Sequence, residues 1–131
     1  MKLFHLSDLH IGKRVNEISM IEDQKYILER ILDLAEVEKP DGIILAGDIY
    51  DKQIPSAEAV QVFDVFITKL AEKKLPVFII SGNHDSAERL AFGGRLLDSR
   101  GIYLSPVYDG TITKIPLKDQ FGTVWVHLLP F

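Results

Sequence analysis

The chain contains no cysteine, which excludes a disulfide-stapled scaffold, a thiolate metal site and a cysteine nucleophile. Any metal ion it holds must therefore sit on oxygen and imidazole, and imidazole is scarce: the only histidines are His5, His10, His84 and His127. Long apolar runs are missing too. The run around Gly42 to Gly47 falls far short of the roughly 20 residues a bilayer span needs, and Met1 leads into a strand-like segment with no secretion signal. A soluble, cytoplasmic protein is expected. Basic charge is not in excess, since 15 Lys and Arg face 19 Asp and Glu for a net charge of −4. That sign excludes a broad basic face as the means of holding nucleic acid. What is left, 131 residues of which 47% are hydrophobic and 26% charged, is the composition of one globular domain.

Hydrophobic periodicity orders the chain. Lys2 to Leu6 is a short apolar strand. From Met20 to Glu38, Ile27, Leu28, Ile31, Leu34 and Ala35 recur at helical spacing until Pro40 and Gly42. Gly42 to Gly47 is a second strand without alternation, hence covered on both faces. Ser56 caps a helix running to Lys74, with Ala59, Val60, Phe63, Phe66, Ile67 and Leu70 as its core face. Val62 and Val65 lie off that face and offer a homodimer contact. A third strand covers Val77 to Ser81, and a third helix Ala87 to Ser99, weakened by Gly93 and Gly94. Short strands follow at 102–104, 111–115 and 123–129, the last two joined by a turn at 119–122. This order predicts an α/β layered fold with a mostly parallel sheet and flanking helices.

The chemistry lies at the strand ends. Asp8 and His10 follow the first strand, Asp48 and Asp51 the second, and Asn83, His84 and Asp85 the third. Asp48 comes 40 residues after Asp8 and Asn83 comes 35 after Asp48, each interval one strand–helix–strand unit of roughly 30 or more residues. Parallel strands bring all three clusters to the edge where α/β sheets bind ligands. Gathered acids and imidazoles call for a cation between them. The Asp8-x-His10 spacing can aim two side chains to one side of an extended segment, while Gly47 and Gly82 let the later loops turn inward. Residue types alone leave Mn²⁺, Mg²⁺, Fe²⁺ and Zn²⁺ open. Asp48 bridging two ions would permit two-metal hydrolysis. Taken singly, Asp51 and Asp85 also fit a loop cap and a helix cap. His5 and His127 read as packed strand residues, and Lys13 and Arg14 as a loop able to reach a DNA backbone.

Asp8-x-His10, Gly47-Asp48-x-x-Asp51 and Gly82-Asn83-His84-Asp85, in this order, resemble the first three motifs of the calcineurin-like metallophosphoesterase superfamily. The fuller strings Phe4 to Lys13 and Gly47 to Asp51, with Pro55 following, are similar to the superfamily's bacterial DNA-repair nucleases. The resemblance implies a layered sandwich and a manganese-dependent nuclease, with Mg²⁺ as the alternative ion. It implies exonuclease action on duplex ends, endonuclease action on hairpins and single strands, and a coiled-coil ATPase partner. It implies that Asp8 and His10 bind one metal, Asp48 bridges, Asn83 binds the second, and His84 stabilises or protonates the phosphate. By the same resemblance Asp51 holds His84, a role Asp85 could also fill. The superfamily's later histidines, including a Gly-His-x-His motif, have no counterpart here. Residues 1–131 are accordingly expected to be the N-terminal part of such a nuclease domain, inactive or slow alone. A phosphoesterase for small esters and a non-catalytic interaction module of the same fold are the rival readings.

Overall fold

The apolar runs that carry no alternation form the centre of the molecule. In the computed structural model, which describes residues 1–92 and 94–131 with the side chains of Arg95 and Leu96 outside the description, strand β1 spans Leu3–Leu6, β4 Gly42–Ala46, β5 Val77–Ile80 and β6 Ile102–Leu104. All pair in parallel in the order β1-β4-β5-β6. Helices α1 (Ile21–Glu38) and α2 (Ala57–Glu72) occupy the connections between β1 and β4 and between β4 and β5. Leu28 and Leu32 of α1 and Phe63 and Phe66 of α2 share one core with Ile43, Leu45, Val77 and Ile79. The opposite face carries Phe78, Ile44, Ile80 and Tyr103. Strands β7 (Thr113–Asp119) and β8 (Gly122–Leu128) cover it with Ile115, Leu117 and Leu128. The expected layered α/β arrangement is therefore present: helices, mostly parallel sheet, antiparallel hairpin. No helix among the described residues is long and apolar enough to cross a membrane.

Several expectations need correction. The third helix is two short pieces, α3 (Ala87–Leu90) and α4 (Gly94–Asp98). The weakening expected from Gly93 lies outside the described residues. A small hairpin, β2 (Arg14–Val15) and β3 (Ile18–Ser19), has no pattern that marks it, being exposed throughout. His5 is exposed rather than packed, because β1 is the edge of the sheet. On α1 the buried residues are Ile21, Leu28, Leu32 and Ala35, while Ile27 and Leu34 face outward.

Ser56 does cap α2, its side chain accepting from the Ala59 N–H at 3.2 Å. The buried face of α2, however, is Ala59, Val62, Phe63, Phe66, Ile67 and Leu70. Val62 is 7% exposed and Val60 45%, so the two valines exchange places. At 100° per residue, positions 59, 62, 63, 66, 67 and 70 form the continuous stripe and position 60 falls outside it. Val62 and Val65 thus do not form one exposed contact. Val62→Ala is expected to cost about 2 kcal/mol of stability and Val60→Ala no more than about 0.5 kcal/mol. Urea midpoints measure both, and the opposite ranking would turn the helix over.

Candidate metal centre

Beyond the last residues of β1 and β4 the two chain segments stay zipped together. Asp8 N–H donates to the Gly47 carbonyl at 3.2 Å, His10 N–H to Asp48 at 2.9 Å, and Ile11 N–H to Ile49 at 2.9 Å. Asp51 N–H returns to the Ile11 carbonyl at 3.2 Å. The ladder is not extended backbone. Asp8, His10 and Asp48 all have left-handed φ, at 55°, 43° and 51°, a conformation that costs a non-glycine residue on the order of 1–3 kcal/mol. Asp8 and His10 do share one side, but left-handed kinks put them there rather than the two-residue period of a strand. Strain concentrated at three acid or imidazole positions marks a site held in place by its surroundings.

Asp8, His10 and Asp48 each offer a ligand atom within 4.8 Å of the others. His10 Nε2 lies 3.9 Å from Asp8 Oδ1 and 3.7 Å from Asp48 Oδ2. These gaps are too long for hydrogen bonds, yet fall inside the roughly 4.4 Å that two donors across one ion span at about 2.2 Å each. Among the described residues, no lysine or arginine comes within ion-pair distance of these carboxylates. Two acids and an imidazole facing a common point without a cationic side chain fit a divalent cation.

Asp51 turns its carboxylate to the other side of the same ring, 3.5 Å from His10 Nδ1. That nitrogen is buried and lacks a hydrogen bond of good geometry. A carboxylate behind a ligating imidazole orients the ring and raises its basicity. His84 meets Asp51 through the backbone: His84 Nδ1 is 3.3 Å from the Asp51 carbonyl, a contact that a proton on Nδ1 makes a hydrogen bond. The Asp51 carboxylate thus serves His10, and its carbonyl serves His84. The His84 ring stands edge-on to His10 with centroids 5.0 Å apart, and both His84 and Asn83 are exposed in the turn after β5.

Asp85 neither holds His84 nor caps α3, where Ser86 takes the cap position. Its buried carboxylate accepts from the N–H groups of Ile49 at 3.1 Å, Tyr50 at 3.0 Å and Gly82 at 2.9 Å. It therefore ties the loop after β4 to the loop after β5. Glycine at 82 is required by space, because a Cβ there would overlap the Asp48 backbone nitrogen and Oδ1. Asp48 Oδ1 in turn accepts from the His84 N–H at 3.0 Å. Burial, with the Asp85 and Asp64 carboxylates nearby, pushes the Tyr50 phenol up to about 12, so it stays neutral at physiological pH.

The helix side of the site holds a residue that no sequence signal marks. Gln24 of α1 reaches the loop after β1, its Oε1 accepting from Gly12 N–H at 2.9 Å and its Nε2 donating to the Leu9 and His10 carbonyls at 3.1 and 2.8 Å. Lys13 and Arg14 are exposed next to this loop, and the Arg14 guanidinium bonds the Glu17 carbonyl inside its own hairpin.

A profile of the calcineurin-like phosphoesterases matches residues 1–129. The SbcD subunit of the nuclease SbcCD from Staphylococcus epidermidis is 43% identical over 126 residues, covering 95% of this chain and 34% of that protein. Its namesake from Staphylococcus saprophyticus subsp. saprophyticus is 39% identical over 132 residues, covering 100% of this chain and 34% of the relative. The chain spans about a third of the length of these curated relatives. Because the match runs without a break through all three strand-end loops, it extends to the chemistry as well as the fold, and the chain belongs to the calcineurin-like phosphoesterase family.

Proposed function

We propose that the chain carries part of the metal centre of a DNA nuclease of the SbcD type, one that hydrolyses phosphodiesters with two divalent ions, Mn²⁺ ahead of Mg²⁺. The observation that carries this reading is the convergence of Asp8, His10 and Asp48 on one point, with the exposed His84 imidazole beside them. Divalent ions held there would neutralise phosphate charge and lower the pKa of a bound water. Asp8 and His10 hold the first ion, Asp48 is shared, and Asn83 holds the second. Asp51 orients His10 from behind. His84 faces solvent, where a phosphate arrives, and stabilises or protonates it. Further imidazole ligands belong to the part of such a protein outside the matched third, and the name of the relatives brings an SbcC-type coiled-coil ATPase as partner. Lys13 and Arg14 contact the DNA backbone, so a few local charges and the ions offset the acidic total.

The test is a panel of duplex, hairpin and single-stranded DNA together with small phosphate esters, run on the full-length protein with Mn²⁺, Mg²⁺ or EDTA. DNA cleavage with Mn²⁺ and none in EDTA is expected. Turnover of small esters without DNA cleavage would replace the reading with a small-molecule phosphoesterase. An absence of both turnover and metal binding would leave an interaction module.

A further inference from the structure

We propose that Gln24 is a positioning residue of the metal centre, fixing through its side-chain amide the loop that carries Asp8 and His10; this rests on the metal reading above. The residue sits in the first turns of α1 and is not a ligand. All three of its side-chain bonds go to main-chain groups of one loop, at Leu9, His10 and Gly12. Only one amide orientation satisfies them, with the oxygen toward the Gly12 N–H and the nitrogen toward both carbonyls.

The loop needs such a partner. With Asp8 and His10 left-handed and Gly12 at a φ of 93°, its carbonyls turn away from the strand ladder, and buried carbonyls require donors. Among the described residues, moreover, the His10 ring has no hydrogen bond of its own to hold it. Its Nδ1 is without one, and its Nε2 is 3.7 Å or more from the nearest carboxylates. The direction of the imidazole is therefore set by the backbone that bears it. That backbone is held from the β4 side by the His10 N–H bond to Asp48 and from the α1 side by Gln24. Because the clamp acts on the loop rather than on the ion, it exists before metal arrives, and its loss is visible in the apo protein.

The full-length protein is compared with Gln24→Met, of similar length but unable to hydrogen-bond, and with Leu28→Ala, which opens the core one turn further along α1. Mn²⁺ affinity is read by calorimetry, and amide exchange at Gly12 is read in EDTA. Gln24→Met is expected to weaken Mn²⁺ binding about ten- to a hundred-fold, the range for residues that support metal ligands, and to speed Gly12 exchange. Leu28→Ala should lower the melting temperature yet leave Mn²⁺ affinity within about twofold of the parent. Should Gln24→Met fail to fold, Gln24→Asn, one methylene too short to span the gap, carries the same comparison. Mn²⁺ affinity in the Gln24 variant within about twofold of the parent, or an equal loss in Leu28→Ala, overturns the positioning role. A parent that binds no Mn²⁺ overturns the metal reading and this inference together.

Discussion

Asp85→Ala is expected to destabilise the apo protein by about 3–6 kcal/mol, because it strands three buried N–H donors at roughly 1–3 kcal/mol each. Those donors are Ile49, Tyr50 and Gly82, and the Asp85 carboxylate is the acceptor all three share. Against a total stability of about 5–15 kcal/mol for a domain, the loss is large. Asp85→Asn is the informative companion. Ile49 and Gly82 share Oδ2 while Tyr50 uses Oδ1, so an amide whose oxygen replaces Oδ2 keeps two bonds and turns an NH₂ toward the third donor. Its cost should be about 1–3 kcal/mol. Urea unfolding in EDTA separates these effects from metal binding. A cost below about 1 kcal/mol for Asp85→Ala would mean that water or a neighbouring group replaces the carboxylate.

The role of Asp85 also shows where sequence reading stops. That an acid follows Gly82-Asn83-His84 is legible; that its carboxylate spans back to residues 49 and 50 is not, since the partners are backbone groups without a side-chain signature. The three strand-end clusters were legible because unalternating apolar runs give parallel strands, and parallel strands share one edge. The local shape of that edge was not. Asp8, His10 and Asp48 adopt left-handed backbone that their own residue types disfavour, and tertiary bonds rather than propensity decide it. Gln24 is hidden for the same reason, since a glutamine on a helix reads as a solvated position until the loop above it is known. The Val60 and Val62 exchange has a simpler cause: three neighbouring valine or phenylalanine positions let the apolar stripe be drawn one residue off, and only burial distinguishes the two drawings.

Asp48→Asn is expected to leave the fold in place while lowering Mn²⁺ affinity by more than about a hundred-fold, beyond the range of supporting residues. The separation follows from the two oxygens. Oδ1 accepts the His84 N–H at 3.0 Å, a structural duty that an asparagine carbonyl performs equally well. Oδ2 faces His10 Nε2 at 3.7 Å and belongs to the set that converges with Asp8, a duty that needs an oxygen with charge. Asparagine supplies one or the other, and the buried N–H of His84 holds its oxygen, which leaves a neutral NH₂ pointing at the cation site. Asp48→Ala removes both duties, so it should add about 1–3 kcal/mol of destabilisation for the stranded His84 N–H and displace the proposed phosphate-facing imidazole as well. The pair is read by urea midpoints in EDTA, Mn²⁺ calorimetry and DNA cleavage on the full-length protein. Retained Mn²⁺ affinity in Asp48→Asn would remove Asp48 from the ligand set. An Asp48→Asn protein as unstable as Asp48→Ala would show instead that the charge of Asp48, not its hydrogen bond to His84, holds the two loops together.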